Sequence, residues 1–503
     1  MSLNLTTVLE TGAFSRPQHT ALISNGYRMS YGQLNEAANR CAAGLAQLGV
    51  RPGDKVAIML PNVPEFIIAY FGALKTGGCV VPLNTLFKAA EIAYQLEDSD
   101  AVALIVEETL LPEAQQALKR VEACRHLIVV GKQAPPGWKR FADLLESGQP
   151  DFDTVQTRSD DTAVILYTAG AMGYPRGAEL THFNMFYNAA LTADRLCKIT
   201  PQDISLAVLP LFHAFGQTCV MNATLYAGGT LTLLARFDTD KVLQTIQRDR
   251  VTLLLGVPTM YWYLQHYPRA ERYDWSSLRL CCSGGAALPV DLMRAFGERY
   301  GLPIFEGYGL SETSPVASFN PTDKPPRPGS IGQPIYGVQM RIVDENDHEV
   351  PPGTVGEIVI RGHNVMKGYY KRPGLTAEAM RGGWFHTGDL GRRDEDGYFH
   401  IVGRKKDLIK RGGLNIYPRE VEDVLLAHPA IAEVAVVGIP DEVMGEEIKA
   451  FVVLEPDEAV DAEEIIEYAR GQMAAYKYPR YIEFRTELPK DAAGKVIKRQ
   501  LKE

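Results

Sequence analysis

Thr168-Ala-Gly-Ala-Met-Gly-Tyr-Pro-Arg-Gly177 follows closely on the apolar run Thr162–Leu166, which reads as a buried strand. Three glycines and a proline after such a strand make a loop whose backbone N–H groups can press against phosphate oxygens. A Cβ would hold the ligand away and would block the positive φ angles that a nest of N–H groups requires. Strand–turn–glycine patterns are also common structural punctuation, so this loop gains meaning only from segments further along the chain.

Working outward, the alternation on both sides of the loop sets the fold class. Lys55–Leu60, Ala103–Val106, His126–Val130, Ala163–Tyr167, Ser205–Leu209, Leu231–Leu234, Val251–Leu255 and Leu278–Cys282 read as buried strands. Helical patterns such as Glu65–Lys75 and Asp240–Arg248 lie between several of them. This predicts a layered α/β architecture with largely parallel sheets. After about Asn320 the texture changes. Prolines and glycines crowd Pro321–Pro334, and the short strands Gln339–Val343, Glu357–Arg361 and Tyr398–Val402 suggest a small β-rich, barrel-like subdomain. From Gly403-Arg-Lys-Lys-Asp407 onward, helix Arg419–Ala427, strands Glu433–Val437 and Lys449–Leu454, and helix Ala462–Ala474 predict a compact α+β domain.

At 503 residues the chain is long enough for at least two domains. Its 46% apolar content can fill sizeable cores. A net charge of −9 argues against a general binder of nucleic acid or of anionic membranes. The seven cysteines are odd in number and never spaced as CxxC, so reduced, buried thiols of a cytoplasmic protein are expected rather than zinc or disulfides. Met1–Pro17 lacks the pattern of a secretory signal, and no run is long and apolar enough to span a membrane. Peripheral membrane contact and a homodimer stay open.

The glycine-rich loop, Tyr308-Gly-Leu-Ser-Glu-Thr313, Thr387-Gly-Asp389, Gly403-Arg404 and Gly494-Lys495 occur in one order. Pro61-Asn62, Val81-Pro-Leu-Asn84, Pro210-Leu-Phe-His213, Ser283-Gly-Gly-Ala286 and Asn415-Ile-Tyr-Pro418 accompany them. In this order and spacing the chain resembles the acyl-adenylate-forming (AMP-binding) superfamily, which includes acyl-CoA synthetases, peptide-synthetase adenylation domains and beetle luciferases. The resemblance implies an N-terminal domain of residues 1–405, a mobile C-terminal domain of residues 406–503, and a hinge near Lys406. It also implies two steps. A carboxylate attacks the α-phosphate of ATP to give acyl-AMP and pyrophosphate; coenzyme A then displaces AMP.

Site residues follow from the same resemblance. Glu312 offers a hard oxygen suited to Mg²⁺, which takes few protein ligands beside substrate phosphates, and Thr168 is expected near the same metal. Gly170, Gly173, Arg176, Gly177 and Ser311 would contact the phosphates. Tyr308 and Gly309 would face adenine, with Gly285 and Ala286 as the opposite wall. Asp389 accepts ribose hydroxyls, and Arg404 and Lys410 assist with the nucleotide. Lys495 would bridge the attacking carboxylate and the α-phosphate as charge concentrates there. For coenzyme A the candidates are Lys410, Arg411, Gly412 and Gly413. Bland readings compete throughout: an isolated Glu is mostly a surface residue, a Gly-Asp pair is mostly a turn, and a lysine beside Lys498, Arg499 and Lys502 is mostly solvated.

The phosphate loop departs from the family pattern. Ala169, Ala171 and Met172 stand where relatives usually carry hydroxyls, and Arg176 replaces a lysine. Up to three hydroxyl donors are lost, at about 0.5–1.5 kcal/mol each. For the acid, His213 stands where amino-acid-activating relatives carry aspartate, and Gly307 where malonate-activating ones carry arginine. With His213 counted among the catalytic candidates and gating or lining the pocket, Phe215, Val257, Gly284, Gly307, Gly309, Leu310 and Ala317 suggest an apolar channel. The reading is a ligase for medium- or long-chain fatty acids. An aryl-CoA ligase of the coumarate type and a catalytically weakened nucleotide-binding homologue are the alternatives.

Overall fold

The computed structural model describes residues 2–168, 175–456, 458–490 and 496–502. It has the expected layered α/β architecture, and the chain divides into two compact units. The first holds residues 1–328, 334–339 and 361–381; the second holds 329–333, 340–360 and 382–503.

Two sheets organise the first unit. In one, the strands run in the order Gly368–Tyr369, Arg176–Thr181, Thr162–Thr168, Cys79–Pro82, Lys55–Met59, Ala101–Glu107, His126–Val130 and Lys139–Arg140. From Thr162–Thr168 outward through Cys79–Pro82 these pairings are parallel; the two strands on the other side are antiparallel. Apolar runs in these strands are buried on both faces, as expected where helices cover a parallel sheet. The second sheet places Ile304–Gly309, Leu280–Ser283, Leu253–Gly256, Ile204–Ala207, Thr230–Leu233 and Thr20–Ser24 side by side, all parallel. Tyr27–Ser30 is its antiparallel edge at one side, and at the other Val316–Phe319 pairs antiparallel with Ile304–Gly309.

Local chemistry sets many boundaries. Helix Tyr31–Leu48 starts at a capping box, Ser30 Oγ accepting the Gln33 N–H while Gln33 reaches back, and stops at Gly49 with φ +101°. Helix Thr239–Asp249 ends on Arg250 at φ +57°, and Val251 N–H then bonds the Ile246 carbonyl. The following strand therefore begins at Leu253, two residues later than the apolar run suggests. Phe215–Asn222 winds as a π-helix, which apolar periodicity does not distinguish from an α-helix.

In the second unit, strands Gly356–Gly362, Phe385–Arg393 and Phe399–Arg404 pair antiparallel within a four-stranded sheet. A further sheet joins Leu414–Ile416, Ile409–Arg411, Gly445–Leu454 and Ile431–Asp441, with Tyr481–Phe484 running parallel beside Gly445–Leu454. Helices Pro418–Leu426 and Ala462–Gln472 pack on it through Val421, Leu425, Ile465 and Ala469. All seven cysteines are buried and unpaired, and burial pushes Cys124 up to about 12, so it stays a protonated thiol. No helix among the described residues is long and apolar enough to cross a membrane.

Candidate active site

Parallel register lines up the carboxyl ends of adjacent strands, and several of the expected acyl-pocket residues follow them. Gly256, Ser283 and Glu306 are partners across three neighbouring strands. Their successors Val257, Gly284 and Gly307 therefore emerge side by side, where ligands of open α/β sheets bind. A Cβ added at Gly284 would come 3.2 Å from the Phe215 ring and 3.4 Å from the Gly307 carbonyl oxygen. One at Gly307 would press on the Phe319 ring at 2.6 Å, and one at Gly285, where φ is +81°, would meet Val257 at 3.5 Å. The glycines thus let the Phe215 and Phe319 rings and the Gly307 carbonyl pack closer to the backbone than a side chain would allow. Phe215 N–H donates to His213 Nδ1 at 3.4 Å. Ala286 is exposed beside Gly285, and Tyr308 and Leu310 are half-buried. Ala317 is fully buried, its carbonyl accepting the Ile335 N–H.

Glu312 lies in the short turn Ser311–Thr313 and is only 5% exposed. An added Cβ at Gly309 would overlap the Pro315 carbonyl, so only glycine lets the chain fold back there. Thr313 Oγ1 accepts the Leu310 N–H at 2.9 Å. The Ser314 hydroxyl donates to the Asn364 carbonyl at 2.9 Å, and Asn364 Nδ2 donates to the Val316 carbonyl at 3.0 Å. Held this way, Glu312 meets Thr168, whose hydroxyl donates to Oε1 at 3.0 Å. Thr168 and Arg176 are register partners at the two ends of the glycine-rich loop, and Arg176 Nη2 stands 3.9 Å from the same oxygen. Gly177 is buried against Ile165 and Tyr167. The Tyr94 hydroxyl donates to the Pro175 carbonyl at 2.7 Å, fixing the returning arm.

Tyr369 is the residue that sequence reasoning missed. Its hydroxyl donates to Glu312 Oε1 at 3.0 Å, and its ring stacks under the Arg176 guanidinium at 4.2 Å. In sequence it is one of two tyrosines between lysines, Lys367-Gly-Tyr-Tyr-Lys371, with nothing to mark which one turns inward.

Within the second unit, Asp389 and Arg404 come together. They are register partners on antiparallel strands, and Arg404 Nε reaches Asp389 Oδ1 at 2.9 Å. Thr387 Oγ1 accepts the Asp389 N–H at 3.0 Å, and Glu357 Oε1 accepts the Gly388 N–H at 3.0 Å. Gly412 and Gly413, at φ +56° and +81°, form the two-residue turn between Ile409–Arg411 and Leu414–Ile416, a tight hairpin that glycine favours. Arg411 is tied to Glu447 at 2.6 Å, and Lys410 donates its backbone N–H to Glu446 at 2.7 Å. Lys406 follows Arg404 in a short turn. Gly170, Gly173 and Lys495 lie outside the described residues. On either side of Lys495, Lys490 pairs with Glu433 at 2.6 Å and Lys498 with Glu422 at 2.5 Å.

A cavity of about 340 Å³ bounded by Lys55, Cys79, Thr162, Glu179, Lys367 and Tyr370 lies at the opposite, amino ends of the parallel strands. None of the predicted site residues lines it.

Residues 9–370 match the family described as AMP-binding enzyme, and residues 420–495 match its C-terminal domain. The chain belongs to this AMP-binding enzyme family. It is 39% identical to a long-chain-fatty-acid–CoA ligase of Bacillus subtilis, over 99% of this chain and 94% of that one. It is 38% identical to a feruloyl-CoA synthase of an Amycolatopsis species, over 97% and 96% of the two chains. Among solved structures, the anthranilate CoA ligase AuaEII in complex with anthranoyl-AMP superimposes with a TM-score of 0.94 at 32% identity, covering 100% of this chain and 97% of that one.

Proposed function

We propose that this AMP-forming acid–CoA ligase activates a medium- or long-chain fatty acid with ATP and passes the acyl group to coenzyme A. The observation that carries the reading is the pairing of Glu312 and Thr168, together with the apolar surroundings that Phe215, Phe319 and Val257 give Gly284, Gly307 and Gly285. A buried carboxylate paired with a hydroxyl suits the metal of a nucleotide triphosphate, and apolar neighbours suit a hydrocarbon acid.

In the first step the acid's carboxylate oxygen attacks the α-phosphorus, and pyrophosphate leaves. Glu312 and Thr168 would hold Mg²⁺. Two oxygen donors fit that ion, which completes its shell with phosphates and water, and no group of three or more His, Cys, Asp or Glu gathers among the described residues. When bound, the ion neutralises phosphate charge. Arg176 and Ser311 are assigned to the phosphates, Tyr308 and the Gly285-Ala286 backbone to adenine, and Asp389 with Arg404 to the ribose. Lys495 is assigned to the attacking carboxylate and the α-phosphate, where its ammonium offsets charge in the transition state. In the second step the thiol of coenzyme A attacks the acyl carbon and AMP leaves; Lys410 to Gly413 are assigned to this substrate. We place the domain boundary at residues 405 and 406, with Lys406 as the hinge between the two steps.

An aryl acid is the second reading, supported by the feruloyl and anthranilate relatives. Incubating the protein with ATP, Mg²⁺, coenzyme A and a panel of acids from acetate to palmitate, with benzoate and ferulate, tests both. Highest kcat/KM on C8–C16 acids is expected. A maximum on aromatic acids would replace the first reading with the second, and absence of AMP release with every acid would remove both.

A further inference from the structure

Two hydroxyl donors and a guanidinium converge on one oxygen of Glu312. Thr168 Oγ1 and the Tyr369 hydroxyl each lie 3.0 Å from Oε1, and Arg176 Nη2 lies 3.9 Å from it. No hydrogen bond reaches Oε2 among the described residues. A carboxylate gripped by one oxygen has a fixed plane, and its second oxygen is left for something else.

Of these groups, Tyr369 is held by several further contacts. It is 3% exposed and sits in the two-residue strand Gly368–Tyr369, paired to the strand that begins at Arg176. Its backbone N–H donates to Thr376 Oγ1 at 2.9 Å, and that hydroxyl donates to the Arg372 carbonyl at 2.9 Å. Three residues upstream, Met366 N–H donates to the Glu312 carbonyl at 2.8 Å, so the same segment holds the glutamate's backbone as well as its side chain. A tyrosine hydroxyl is ordinarily a neutral donor at neutral pH. It orients the carboxylate without cancelling its charge, which a lysine or arginine in its place would do.

We infer that Tyr369 is a positioning residue for the metal site: by occupying Oε1 it turns Glu312 so that Oε2 faces a hard cation, while its ring seats Arg176 beside that site. The inference rests on the assignment of Glu312 to Mg²⁺ under the proposed function. Partners that orient a metal-ligating carboxylate commonly change metal affinity by about 10–100-fold when removed.

The test uses the full-length protein, Mn²⁺ as a spectroscopic substitute for Mg²⁺, and ATP. Electron paramagnetic resonance follows Mn²⁺ binding with ATP present, and calorimetry follows ATP binding without metal. Tyr369→Phe keeps the ring under Arg176 and removes only the hydroxyl. It is expected to weaken Mn²⁺ binding about tenfold or more, to leave metal-free ATP binding within about twofold, and to raise the KM for Mg²⁺ more than it lowers kcat at saturating Mg²⁺. In a Glu312→Gln background the same change is expected to add no further loss of Mn²⁺ affinity. Unchanged Mn²⁺ binding in Tyr369→Phe, or an equal further loss in the Glu312→Gln background, would overturn the inference while leaving the proposed function intact. Wild-type protein that binds ATP without any Mn²⁺ dependence would overturn the metal assignment and the inference together.

Discussion

Arg404 and Asp389 face each other across two antiparallel strands and join through a 2.9 Å contact from Nε to Oδ1. Asp389 is only 4% exposed, whereas the arginine side chain is more than one-third exposed. The carboxylate thus depends on a partner that solvent can screen. Arg404→Ala is expected to leave the thermal midpoint within a few degrees and to weaken nucleotide binding about tenfold, the scale of a hydrogen bond to a charged group. Calorimetry with AMP and a melting curve on the same sample check this. A large fall in the midpoint with nucleotide affinity retained would make the pair structural.

His182 is fully buried, with Nδ1 accepting the Leu5 N–H at 3.0 Å and Nε2 without a hydrogen bond among the described residues. Burial pushes its pKa from 6.5 down to about 4, partly opposed by Asp161. A base with a depressed folded value binds its proton more readily when unfolded, so its contribution is fully present above about pH 6.5. It falls as pH drops towards 4, by up to about 3 kcal/mol. Denaturant midpoints from pH 4.5 to 7.5 should decline on the acid side. His182→Asn, which can still accept from Leu5, should flatten that decline by close to one proton.

Gly284 separates Phe215 from Gly307, and a methyl there would need the Phe215 ring to give way by a few tenths of an ångström. Gly284→Ala is expected to shift chain-length preference towards shorter acids, with KM for the longest acid rising about tenfold, the scale of a methylene or two in an apolar pocket. kcat for the shortest acid should change little. A uniform loss across all acids would place Gly284 outside the acyl pocket.

Lys495→Ala is expected to slow acyl-AMP formation by about a hundredfold or more while sparing thioester formation from supplied acyl-AMP. Rapid-quench measurement of the two half-reactions separates these. Equal loss in both would remove the assigned role.

Motif residues were legible because glycine and turn chemistry leave marks that need no tertiary context. Gly284, Gly285 and Gly309 stand where a Cβ meets an obstacle or φ is positive, and the strands before them are apolar for burial on both faces. Boundaries were harder. Val251 and Thr252 look like strand but are held by the helix end and by Asp203, to which the Thr252 hydroxyl donates at 2.7 Å. Tyr369 was not legible at all. Its contact with Glu312 spans 57 positions and exists only because Gly368–Tyr369 joins a sheet edge nearly 200 residues upstream. A two-residue strand carries no period to detect.

The carbonyl and side-chain amide of Asn364 lace Ser314 and Val316 to a stretch fifty residues downstream. The turn bearing the acidic ligand is therefore not locally encoded; its shape is a joint property of two distant passages of chain. Evolutionary drift in one passage must be matched in the other, and a library that randomises only the turn itself would leave the distant passage that also sets its shape unsampled.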